Sequence, residues 1–164
     1  LRLWAIILTL NMPPSRTGLF LDKVLHERAL AAGRAVVGLE RPEEQLAVFR
    51  DLSDNDQQQL LKQALSDYQQ LPQLMEELTT AWLQRDLARI DTLNDATMEG
   101  LPERVARRFE EALIDDRNRR MAERVLPYLQ QGDAFIAVGT MHLVGPEGLV
   151  ALLRGQGMQV TPVY

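Results

Sequence analysis

Two short apolar runs, residues 35–39 (Ala-Val-Val-Gly-Leu) and 134–138 (Ala-Phe-Ile-Ala-Val), bracket a long interval in which nothing reads as a strand. Short runs rich in β-branched or aromatic residues and closed by glycine or a charge read as buried strands. A third such run, 159–163, ends the chain, with Pro162 marking it as an edge. The interval between the first two reads as helix. Pro42-Glu43-Glu44 opens one helix, Asp54 caps a second through Leu71, and Pro72 restarts a third through Trp82. After the turn-rich residues 94–100, a long helix runs from Leu101 to Leu129. An earlier helix spans Leu19 to Ala32 with Gly33 as its C-cap, and a last one opens at Pro146-Glu147. Strand, helix and strand in succession imply a right-handed crossover. The expected fold is therefore α/β: a partial parallel or mixed sheet with a helical insertion at about 42–131.

The chain has 164 residues, enough for one domain with a core. Its 18 basic and 23 acidic residues give a net charge of −5, which argues against a nucleic-acid footprint. With no cysteine, any metal must be held by His, Asp or Glu. The apolar first ten residues fall far short of the roughly 20 that a membrane-spanning helix needs. They are not followed by a small-residue cleavage site, and the chain opens on Leu1. It reads as an N-terminally truncated single domain over 1–164. A strand edge uncovered in this way predicts a homodimer.

Three residues stand out as candidates for chemistry. Glu40 and His142 each follow a buried run and precede a Pro-Glu pair, so both should lie over one sheet edge, where ligands bind in open α/β sheets. A carboxylate and an imidazole so placed can hold a divalent metal or act as an acid–base pair. Gly139 and Gly145 flank His142 and permit close backbone approach. Arg117 interrupts the ridge Val105, Phe109, Leu113, Arg117, Met121, Val125, Leu129. If buried, it needs an anion. Blander alternatives stand beside each: Glu40 as a solvated acid or helix cap, His142 as a hydrogen-bonded turn residue, Arg117 as a snorkelling side chain. His26, on the polar side of its helix, reads as a surface residue, and Trp4, Tyr68 and Trp82 as core residues.

Several segments, in order, resemble the TraB/GumN/Tiki family: 18–22, 29–40 with Glu44-Gln45, Ala81-Trp82 with Asp86, Asp116-Arg117-Asn118-Arg-Arg-Met121, and 135–149 containing Gly139-Thr-Met-His142. The resemblance implies a fold shared with erythromycin esterase-like and ChaN-like proteins. It also implies a site of two G-x-x-H motifs, a glutamate and an arginine, and the metal-dependent protease activity described for animal members. On this chain those positions map to His142 and Glu40 as metal ligands, Arg117 as a further catalytic group, and Gly139, Gly145 and Asn118 as support. The family's first G-x-x-H has no counterpart here, and another family acid lies upstream of Glu40.

The expected function is thus a metal-dependent, peptidase-like hydrolase of which this chain is an incomplete piece, using manganese, cobalt or zinc. The alternative is a non-catalytic module binding a peptide or small ligand at the same place. An upstream signal peptide in the parent would make it periplasmic or envelope-bound.

Overall fold

A computed structural model describes residues 2–12 and 18–163. Its elements are helices α1 (Leu3–Leu10), α2 (Leu21–Ala31), α3 (Pro42–Arg50), α4 (Asp54–Asp67), α5 (Leu71–Gln84), α6 (Leu87–Met98) and α7 (Glu103–Glu110). A π-helical segment, Glu111–Asp115, joins α7 to α8 (Asp116–Gln131), and a 3-10 turn, Thr140–His142, precedes α9 (Leu149–Gly155). No helix among the described residues is long and apolar enough to cross a membrane.

Helix starts follow local chemistry. Ser53 caps α4 by accepting from the Asp56 N–H, and Asp86 caps α6 by accepting from the Arg89 N–H. Pro42 opens α3, where Glu44 reaches back to the Arg41 N–H. The apolar α1 packs on α4 and inserts Ile7 among Val48, Leu52, Leu60, Leu101, Val105 and Phe109. Phe49 meets Phe109 edge-on, ring centres 5.6 Å apart. A second, smaller cluster joins Met121 and Ala122 of α8 to Leu149 of α9, with Leu39, Val138 and Leu152 against it.

The expected α/β sheet is not there: no strand occurs among the described residues. Residues 35–38, 133–138 and 159–163 belong to no helix or strand, and none of their N–H groups donates to a backbone carbonyl among the described residues. The reason is that a strand is not a local structure. An apolar run supplies β propensity, but only a neighbouring strand supplies the ladder, and these runs find none. Most of their side chains are exposed and none is buried, with Phe135 at 81% and Val163 at 88%. Only the ends of the first two runs, Leu39 and Val138, reach the core beside α8.

Three further expectations need correction. The last helix begins at Leu149 after Gly148, so Pro146-Glu147 lies in the preceding loop. The stretch read as turn-rich, 94–100, is largely the end of α6. Tyr68, at the C-cap of α4, and Trp82 in α5 are about half exposed, not core residues.

Candidate functional site

Arg117 and Asn118 lie in the first turn of α8, immediately after the π segment. A π turn holds one residue more than an α turn, so it rotates the face that follows. Val105 and Phe109 are the buried residues of α7, whereas Asn118, Met121, Ala122 and Val125 are those of α8. The adjacent Arg117 is aimed at the segment that carries Glu40.

Arg117 Nε donates to Glu40 Oε1 at 2.8 Å and Nη2 to Oε2 at 2.7 Å, a bidentate pair. Nη1 donates to the Leu113 carbonyl at 2.9 Å. The two side chains are only 15% and 5% exposed, so Arg117 is paired and buried rather than snorkelling. Gln45 adds a third donor to Glu40, at 3.2 Å. Burial alone would raise the Glu40 carboxyl, but the Arg117 hydrogen bonds and charge outweigh it and hold the group below its ordinary value.

His142 is buried in the 3-10 turn. Its Nδ1 lies 2.7 Å from Asn118 Oδ1, and no hydrogen bond engages Nε2 among the described residues. Burial first, then the Arg117 charge, depress its pKa, with Glu40 partly opposing. The imidazole is therefore neutral at neutral pH and lies within the field of both partners. The His142 loop is pinned to α8 twice through Glu147: Asn118 Nδ2 donates to its carbonyl at 2.8 Å, and Arg119 Nε to its carboxylate at 2.9 Å. Glu40, Arg117, Asn118 and His142 thus form one neighbourhood, organised by α8 instead of a sheet edge.

The glycines divide differently from expectation. Gly139 has φ −61° and a Cβ there would meet only His142 Cδ2, at an ordinary 3.7 Å. Gly145 is required for its backbone, at φ +79°. Gly148, overlooked in the sequence, leaves no room: a Cβ would collide with the Val144 carbonyl and come within 2.6 Å of the Leu143 carbonyl oxygen.

Arg124 was also overlooked. Nη1 donates to the Leu39 carbonyl and Nη1 and Nη2 to Glu44, all at 2.7 Å, so it clamps the segment around Glu40. Hydrogen bonds from Arg124, then from the Arg41 N–H, hold Glu44 far below the usual carboxylate range. Arg124 follows Arg117 by seven residues, two helical turns, which is the signal that would have found it.

Among the described residues a divalent metal finds no complete ligand set. Both Glu40 oxygens are taken by a guanidinium, leaving His142 Nε2 as the open donor of this set. Among the described residues no three His, Asp or Glu side chains gather as a metal-holding group, whereas a catalytic zinc usually has three protein ligands.

The model of the TraB/PrgY/gumN family matches residues 1–162, and the chain belongs to that family. No curated protein and no solved structure matches it.

Proposed function

We propose, from family membership and this geometry, that the chain carries part of a peptidase-like hydrolytic site built on His142, Arg117 and Glu40. The observation that carries the reading is a buried imidazole whose Nε2 is open among the described residues, beside a buried arginine–carboxylate pair. Nε2 would take a proton from water as its oxygen attacks a substrate carbonyl, and would return it to the departing amine. An arginine has five N–H donors. Among the described residues three of those on Arg117 are engaged, which leaves two for the negative charge developing on the carbonyl oxygen. Glu40 holds the guanidinium in place and favours the imidazolium that forms. Manganese, cobalt or zinc enters this reading only with further ligands beyond His142, and no step above depends on one.

A second reading, binding without turnover, is favoured by the closure of Glu40 and Arg117 on each other. A ligand carboxylate would displace Glu40 from the guanidinium, and nothing further need happen. A nuclear magnetic resonance titration with a short unblocked peptide, followed by mass analysis after prolonged incubation, separates the two. Shifts at His142 and Arg117 with cleavage abolished by His142→Ala support the hydrolase. Shifts without cleavage support the binding module. A peptide that perturbs neither residue removes both readings.

A further inference from the structure

We infer that Asn118 is a positioning residue that locks His142 in the tautomer protonated on Nδ1, so that Nε2 is the one electron-pair donor this imidazole offers a ligand. The argument is a chain of forced donor and acceptor roles. The Glu147 carbonyl can only accept, so the Asn118 atom facing it at 2.8 Å must be the amide nitrogen. Reversing the amide would set two oxygens against each other. Oδ1 is therefore the atom facing His142 Nδ1 at 2.7 Å, and an amide oxygen can only accept. Nδ1 must carry the hydrogen. In a neutral imidazole, Nε2 is then bare. Asn118 is fully buried, so water does not compete for either bond.

The tautomer narrows what the site can take. The ligand atom opposite Nε2 must be a proton donor, as in water, an alcohol or an amide N–H, or else an electrophile. The two Arg117 N–H groups without a partner among the described residues demand the opposite, a carbonyl or carboxylate oxygen. A molecule with a donor beside an acceptor satisfies both, which is what a hydrated peptide bond presents. This last step rests on the hydrolytic reading; the tautomer does not.

The test uses the fact that the chain has only two histidines, of which His26, on the exposed side of α2, serves as an internal reference. Long-range proton–nitrogen spectra at neutral pH read which ring nitrogen carries the hydrogen. His142 is expected to show Nδ1 protonated and Nε2 bare, the reverse of the tautomer that a solvent-exposed imidazole such as His26 favours. Asn118→Ala, shown by circular dichroism to be folded, should lose that pattern, because it removes the acceptor that faces Nδ1. A wild-type spectrum with Nε2 protonated overturns the inference even if no variant folds. So does a folded Asn118→Ala protein with an unchanged tautomer. The expected spectrum in a protein that neither binds nor cleaves peptide would leave the tautomer standing and the hydrolytic reading refuted.

Discussion

Arg117 and Glu40 are almost closed to water, so their contribution to stability is asymmetric: removing one partner strands the other charge. Arg117→Ala is expected to cost about 3 kcal/mol in urea unfolding, with part of the loss recovered by adding Glu40→Gln. The pair also sets an acid limit. Both Glu40 and His142 have folded pKa values below their ordinary 4.5 and 6.5. A depressed pKa means the unfolded chain binds protons more readily, so stability is full above the unfolded value and falls as pH drops toward the folded one. Loss should begin below about pH 6.5 through His142 and deepen below about 4.5 through Glu40. Arg117→Ala should flatten the lower limb, and a mutant whose stability still falls as steeply below pH 4.5 would refute the assignment. Arg117 was legible in the sequence because a charge in an apolar ridge needs an anion. Gly148 was not, because its requirement comes from the Val144 and Leu143 carbonyls, which only the folded loop brings near. Gly148→Ala should therefore cost about 1–3 kcal/mol as an overpacked site, whereas Gly139→Ala should leave the melting temperature almost unchanged.

The helices were readable because helix signals are local: a cap, a proline at the first turn and a 3.6-residue period are all carried by neighbours. The runs at 35–39, 134–138 and 159–163 misled for the complementary reason, since strand signals are redeemed only by partners distant in sequence. The π segment was invisible because the one residue it adds to a turn is marked by no local signal in the sequence. It has a direct consequence. A π turn is an α turn with one residue inserted, so deleting Ala112 should regularise the helix while leaving the buried faces of α7 and α8 in phase. Helical content and melting temperature should hold or rise. In a regular α-helix, however, the carbonyl four residues before Arg117 bonds the Arg117 backbone N–H. It then competes with the Nη1 bond that now steadies the guanidinium. The expected result is a stable protein with a weakened Arg117 anchor, seen as broadened or lost guanidinium N–H resonances. A deletion that unfolds the chain would show that the π turn is structural.

At the scale of the whole molecule, two kinds of surface remain unsatisfied. The 35–38, 133–138 and 159–163 segments expose backbone groups that have no backbone partner among the described residues, and unpaired edges invite pairing with another chain. Beside them stand large apolar side chains open to water, notably Phe135, Val163 and Val37. A net charge of −5 spread over 164 residues opposes association only weakly. For identical chains the simplest closure is a twofold dimer in which one extended run pairs with its copy. The molar mass from light scattering should therefore rise with protein concentration toward twice that of the monomer. Phe135→Glu should shift that rise to higher concentration, because it places a like charge at the pairing edge without touching either core cluster. Adding the segment 134–138 as a free peptide should compete with self-association in the wild-type protein and have little effect on the mutant. A mass that stays monomeric at every concentration, with unchanged amide exchange along 134–138, would show that the exposed runs are tolerated in water and that the dimer does not form through them.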